Sequence, residues 1–186
     1  MLGLELYPDV MSPQTCNQII SMFENDQRKS PGKSMDNIVN EQVKASTDLQ
    51  CDFTSDEYTD YNNLILPTVV NAVDKFRSTY QFLDYIDEWE ITGIYNIQRY
   101  HPGQGFFIPH CEHSAFFYRR ILAWMIYLNT TPEGTEFPYQ KIKLQASQGN
   151  AAVWSAHWTH PHKGVTPTTQ TKYIVTGWCQ YKIHNV

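Results

Sequence analysis

Tyr100-His101-Pro102-Gly103-Gln104-Gly105-Phe106-Phe107-Ile108-Pro109-His110-Cys111-Glu112 is the stretch from which the rest of the chain is best read. Pro102 to Gly105 signal a turn, and the residues after it predict a strand over 106–112. Side chains alternate along a strand, so His110 and Glu112 fall on one face and Cys111 on the other. An imidazole and a carboxylate on one face can meet one ion.

From Trp89 onward the chain is rich in Ile, Val, Tyr, Phe and Trp, broken by Gly, Pro and Asn. That composition predicts short strands near 90–100, 106–112, 121–128, 140–145, 150–155, 158–163 and 172–181. The earlier part reads differently. Ser12-Pro13 is an N-cap followed by a first-turn proline, and Cys16, Ile19, Ile20 and Phe23 recur at helical spacing, which predicts a helix over 13–24. A second helical region is expected over 55–80, kinked or broken at Pro67. Between them, Asn25 to Asp48 has no sustained period and is expected to be a long loop, a candidate mobile segment close to the site. Helices followed by strands indicate an α+β domain whose sheets form a sandwich or barrel flanked by the helices. With 186 residues and 41% hydrophobic content, the chain can bury one good core and is short for two. Residues 1–186 are therefore taken as one domain, with 1–89 its helical N-terminal part and 90–181 its core.

A formal net charge of −5 disfavours a broad surface for gripping phosphate backbones, so nucleic acid is not the expected partner. Met1 to Met11 carries Glu5, Pro8 and Asp9 and lacks the basic start and apolar run of a signal peptide. No apolar run approaches the roughly 18 residues that suggest a membrane span. Cys16, Cys51, Cys111 and Cys179 are scattered without a close pair, so reduced thiols in a cytoplasmic setting are expected.

Alone, His-x-Glu reads as an ordinary exposed strand pair. Its context changes that weighting. Trp158-Thr159-His160-Pro161-His162 offers two more histidines, and one of them would complete two imidazoles and a carboxylate on one side of an ion. Positions would remain open for a bidentate co-substrate and oxygen, an arrangement suited to non-haem iron(II). Zinc accepts the same three side chains. Further on, Lys172 to Trp178 alternates, with Lys172, Ile174, Thr176 and Trp178 on one face. If that face looks inward, the lysine needs an anion, which a dicarboxylate would supply while Thr176 adds a hydroxyl donor. A lysine in such a place is otherwise a snorkelling surface residue.

The ordered set resembles the prolyl 4-hydroxylase-like branch of the iron(II) and 2-oxoglutarate-dependent oxygenases. That family has a tyrosine before a Gly-containing turn, a His-x-Asp or His-x-Glu pair, a Tyr-Leu-Asn strand, a Gly-rich turn ending in Phe, a distal His and a basic residue about ten positions later. Here stand Tyr100, then Gly103 and Gly105, His110 and Glu112, Tyr127-Leu128-Asn129, Gly134-Thr135-Glu136-Phe137, His162 and Lys172. The resemblance spans residues 90–181 and implies a double-stranded β-helix, or jelly-roll, core with the N-terminal helices packed on one sheet. It implies iron(II) held by His110, Glu112 and His162, with 2-oxoglutarate as co-substrate, dioxygen as oxidant and ascorbate left open as an auxiliary. Lys172 would partner the far carboxylate of 2-oxoglutarate, helped by Tyr127 and Thr176. Tyr100 would lie in the co-substrate and substrate pocket, with Trp178 lining its wall. His162 is preferred to His160 because it lies ten residues before Lys172. Two positions depart from the common pattern: Glu112, where Asp is commoner, and Gly134-Thr135, where Gly-Gly is usual.

The implied reaction is hydroxylation of an unactivated C–H bond, with prolyl residues of a peptide or protein the expected substrate. A free amino acid or other small molecule and a non-catalytic metal-binding module are the alternatives, and the oligomeric state stays open. A nucleic-acid demethylase would carry a second Arg where Trp178 stands. The remaining conspicuous residues have plainer readings. Trp124, Trp154 and Trp158 are expected in the core or at a pocket rim. Cys111 is expected to be packing, His101, His113, His157 and His184 surface or hydrogen-bonded groups, His160 a neighbouring or surface group, and Arg119 and Arg120 to face solvent, with a substrate carboxylate or phosphate as the alternative.

Overall fold

The computed structural model describes residues 2–34 and 38–183. Among the described residues are twelve strands and two long helices: β1 Leu4–Tyr7, α1 Pro13–Asn25, β2 Ser30–Pro31, β3 Lys44–Ala45, β4 Thr47–Asp52, α2 Thr59–Thr79, β5 Trp89–Tyr100, β6 Gly105–Phe106, β7 Arg120–Tyr127, β8 Thr131–Phe137, β9 Ile142–Ala146, β10 Ala151–Ser155, β11 Lys163–Gly164 and β12 Lys172–Tyr181. In α1 the Ser12 hydroxyl accepts from the Thr15 amide at 3.1 Å, and Cys16, Ile19 and Phe23 form the buried stripe. α2 passes through Pro67 without interruption, so the expected break does not occur.

The strands form an antiparallel sheet in the order β1-β10-β7-β12-β5-β4-β2, faced by a smaller sheet β11-β8-β9 and the β3-β6 pair. This is a double-stranded β-helix with helices on the outer face of its large sheet. Alternation along β7 explains why Ile121 to Leu128 is apolar throughout. Trp124 and Ile126 pack toward α1 and α2, while Ala123, Met125 and Tyr127 enter the core between the sheets. A strand buried on both faces has no polar face to show. β10 divides its residues the same way, with Val153 toward the helices and Trp154 inward.

Several expectations need correction. Most of the expected strand 106–112 is irregular: regular pairing stops at Phe106, and beyond it only His110 bridges to His162. Pro109 lacks the amide a ladder requires. Of the expected strand 158–163, only Lys163 is strand, because the chain turns where the His160 amide bonds to His157 O at 2.9 Å. The N-terminal part is not purely helical, since β1 and β4 extend opposite sides of the large sheet. The supposed loop Asn25 to Asp48 begins at the last residue of α1 and includes β2, β3 and the start of β4, and its residues 35–37 lie outside the described residues. β8, expected as a turn, is a strand. Gly134 is required there because a Cβ would come within 2.0 Å of Leu144 O on β9.

Candidate metal centre and its cavity

The two irregular segments that escaped the strand prediction carry the histidines. His110 and His162 exchange backbone bonds, the His110 amide to His162 O at 3.0 Å and the His162 amide to His110 O at 2.8 Å. The Glu112 amide bonds to Ala156 O at 3.0 Å. Their side chains converge: one ligand atom from each of His110, Glu112 and His162 lies within 4.8 Å of the others. His110 Nε2 is 3.6 Å and His162 Nε2 3.4 Å from Glu112 Oε1.

Each histidine faces a backbone carbonyl through Nδ1, Ile108 O for His110 and His160 O for His162, both at 3.1 Å. That places the Nδ1 proton on the carbonyl side and leaves Nε2 with a free lone pair, the tautomer a metal ligand needs. Burial lowers the pKa of His162 and so favours its neutral form. Burial by itself would raise Glu112, but His110 and His162 beside it hold its carboxyl well below the usual range. Two imidazole lone pairs and a carboxylate oxygen converging in a buried site repel one another unless a cation sits between them, so the donor set fits a divalent metal. The second carboxylate oxygen is occupied. Glu112 Oε2 accepts from Trp178 Nε1 at 2.8 Å and from Arg120 Nη1 at 3.4 Å. Arg120 lies 3.6 Å over the Trp178 ring and 3.8 Å over Phe117. Arg120 is therefore part of the site rather than solvent-facing. Burial pushes its pKa down to about 10, against the pull of Glu112, which still leaves it charged at neutral pH.

These groups line one cavity of about 890 Å³ that also takes in Tyr100, Tyr127, Lys172 and Thr176. The inward face expected for β12 is present. Register explains the grouping, since Lys172 pairs with Tyr100 on β5 and Ile174 with Tyr127 on β7. Lys172 is 3% exposed, with Nζ donating to Val165 O at 2.6 Å and Gly134 O at 3.4 Å and lying 5.4 Å over the Tyr100 ring. Among the described residues no carboxylate pairs with it. Burial pushes it down to about 8, with Glu133 pulling the other way. An anion entering the cavity would stabilise its charged form. The Tyr127 hydroxyl meets Thr135 Oγ1 at 2.7 Å, and Thr176 Oγ1 donates to Trp124 O at 3.0 Å.

The plainer readings fare unevenly. Trp124 and Trp154 are core, but Trp158 is 73% exposed and does not line the cavity. His160 is buried beside the site, its Nδ1 on Thr159 Oγ1 and its Nε2 on Leu2 O. His113 and His157 face each other at 4.4 Å, and Cys111 Sγ meets His113 O. His184 lies outside the described residues. Lys44, Asp48 and Gln98 also line the cavity. The sequence offered no period around Lys44 by which to find it.

Residues 95–180 match the sequence model of the 2OG-Fe(II) oxygenase superfamily, a segment that contains all three converging side chains and Lys172. Over that segment the chain resembles that superfamily. Iron(II) and 2-oxoglutarate are therefore its cofactor and co-substrate. Solved oxygenase structures share the fold. A viral collagen prolyl hydroxylase from Paramecium Bursaria Chlorella virus-1, solved with 2-oxoglutarate, is 17% identical with a TM-score of 0.68 over 96% of each chain. A prolyl-4-hydroxylase from Pseudomonas putida is 15% identical with a TM-score of 0.67, over 97% of this chain and 94% of that one. A prolyl hydroxylase from Trichoplax adhaerens, in complex with a hypoxia inducible factor peptide fragment, is 14% identical with a TM-score of 0.70, over 96% and 83%. No curated protein sequence matches the chain.

Proposed function

We propose that this oxygenase hydroxylates prolyl residues within a peptide or protein, using iron(II) held by His110, Glu112 and His162. The observation that carries the reading is the cluster of three metal-ligating side chains in the same cavity as a buried, carboxylate-free Lys172. Iron(II) with 2-oxoglutarate and dioxygen supplies the chemistry: the co-substrate becomes succinate and carbon dioxide as one oxygen atom enters a substrate C–H bond. The protein's residues position and shield. Lys172 takes the far carboxylate of 2-oxoglutarate, with the Tyr127 and Thr176 hydroxyls beside it. Phe106 stacks on His110 with ring centroids 3.8 Å apart, and Trp154 meets His162 edge-on at 4.8 Å, so apolar rings shield both imidazoles. Trp178 and Arg120 hold the spare oxygen of Glu112, so that Oε1 alone faces the histidines.

The prolyl substrate draws support from the order of motifs and from the activities named for the three solved structures. A polyproline segment is already extended and gives up little conformational freedom on entering a cleft beside Trp178. Four free cysteines, three of them buried, suit a reducing, cytoplasm-like compartment. No described helix is long and apolar enough to cross a membrane. The test is incubation with iron(II), ascorbate and 2-oxoglutarate, offering proline-rich peptides and free proline. Succinate together with a mass gain of about 16 Da, one oxygen, on a peptide is expected. Succinate without oxidised proline would sink the prolyl substrate and leave the oxygenase chemistry standing.

A further inference from the structure

A chain of buried polar groups in the same cavity is unused by the metal and Lys172 chemistry. Lys44 Nζ pairs with Asp48 Oδ2 at 2.5 Å, and Ser46 Oγ donates to Asp48 Oδ1 at 2.7 Å. Gln98 Nε2 donates to Asp48 Oδ2 at 3.1 Å, and the Tyr100 hydroxyl donates to Gln98 Oε1 at 2.8 Å. All five residues are buried. Asp48 and Gln98 are cross-strand partners on β4 and β5, so the chain reaches Tyr100 from a part of the protein that precedes the superfamily match at residue 95.

Proton direction follows from the chemistry of each group. A carboxylate paired with a lysine only accepts, so the Gln98 group facing Asp48 must be its NH2 end. The carbonyl end then faces Tyr100 and takes its single proton. Tyr127 is different: it donates to Thr135 Oγ1, whose own proton rests on the weak acceptor Met125 Sδ at 3.7 Å, so the threonine can turn and donate back to the phenol oxygen. One tyrosine can turn its proton toward an anion and the other cannot.

We propose that the Lys44-Asp48-Gln98 chain commits the Tyr100 proton inward, so that Tyr100 offers the cavity a hydrogen-bond acceptor suited to a donor group of the substrate. The anionic co-substrate is left to Lys172, Tyr127 and Thr176. Lys44, Asp48 and Gln98 are then positioning residues acting through Tyr100. This rests on reading the cavity as a 2-oxoglutarate site and departs from the expectation that Tyr100 contacts the co-substrate.

The experiment is calorimetric titration of 2-oxoglutarate into manganese(II)-loaded protein, comparing wild type, Tyr100→Phe, Gln98→Met and the double variant, each checked by thermal melting. Tyr100→Phe should leave the affinity within about twofold. Gln98→Met, which frees the tyrosine proton, should bind 2-oxoglutarate more than about twofold tighter, and the double variant should lose that gain. A purely structural role for Gln98 gives no gain. More than a twofold loss in Tyr100→Phe, or no gain in Gln98→Met, overturns the proposal. Tyr100→Phe removes one hydroxyl and keeps the ring, so its result stands even if Gln98→Met fails to fold. No binding to the wild type would overturn the 2-oxoglutarate reading itself, and this proposal with it.

Discussion

The two ends of the cavity are built by opposite means. Lys172 sits on β12, which keeps regular register with β5 and β7, so a two-residue period alone carries its side chain inward. His110 and Glu112 sit on irregular backbone, pinned by amides reaching His162 O and Ala156 O, and Glu112 is further held by Trp178 and Arg120. An anion site served by one long, flexible side chain tolerates the average geometry of a strand. A metal site needs three atoms to converge, which alternation along one strand does not deliver and cross-links between segments do. Damage to the metal corner should therefore be drastic and cooperative, and damage to the Lys172 end graded.

The sharpest test of that difference is removal of the ligands. His110→Ala, Glu112→Ala and His162→Ala should each weaken manganese(II) or iron(II) binding by more than about a hundredfold, beyond the roughly 10–100-fold typical of losing a supporting group. His160→Ala should leave metal affinity nearly unchanged, because His162 Nδ1 bonds to the backbone oxygen of His160 and not to its ring. Metal titration of the four variants decides it. Loss of metal in His160→Ala with retention in His162→Ala would reverse the ligand assignment.

At the other end, Lys172→Met should keep the metal and lose 2-oxoglutarate affinity by roughly tenfold or more, the worth of a hydrogen bond to a charged group. Unchanged affinity by calorimetry would remove Lys172 from the anion site. A pH series sharpens the same point with a smaller effect. Burial holds Lys172 at about 8, below its ordinary value, so the free protein carries the charge below that pH and loses it above. Affinity for 2-oxoglutarate should be level below about 8 and fall toward roughly tenfold per unit above it. The sign for stability is opposite: between about 8 and the ordinary lysine value the unfolded chain binds more protons, so this group makes the metal-free fold more stable as pH rises. Lys172→Arg should flatten the affinity profile, since arginine stays charged throughout.

The contrast between the two ends also explains what was legible in the sequence. β12 was expected over 172–181 and runs over Lys172–Tyr181, because alternation needs no tertiary information. β7 was legible as an apolar run for the same reason. The grouping of His110, Glu112 and His162 was readable from motif order, although the strand parity offered for it does not hold along an irregular segment. β8 was hidden because Pro132 and Gly134 look like turn residues until β9 approaches them. Arg120 was read as solvent-facing because nothing local records that the Trp178 ring lies over against it. Lys44 and Asp48 stayed hidden because their burial depends on pairing with each other and on Gln98 across β5, contacts no local period encodes.

The smallest expected effect probes how the corner accommodates a glutamate in place of the commoner aspartate. The longer side chain has an additional rotatable bond, so a free Glu112 would sample several positions and could offer a metal either oxygen or both. Trp178 Nε1 at 2.8 Å and Arg120 Nη1 at 3.4 Å hold Oε2, leaving Oε1 at 3.4 and 3.6 Å from the two histidine nitrogens. Trp178→Phe keeps a ring under Arg120 but removes the stronger of these tethers. Arg120 then remains as the only cross-link to Oε2 among the described residues, so the loss should be partial, about 1 kcal/mol or fivefold in metal affinity. Arg120→Met in the same background should add to it, because the carboxylate would then lose both donors. Cobalt(II) serves as the readout, since its visible absorption reports ligand geometry as well as affinity. A shifted spectrum with weakened binding in Trp178→Phe supports a carboxylate steered by its neighbours. An unchanged spectrum and affinity would mean that the two histidines and the backbone bond of Glu112 to Ala156 already suffice, and that Trp178 serves only as cavity wall.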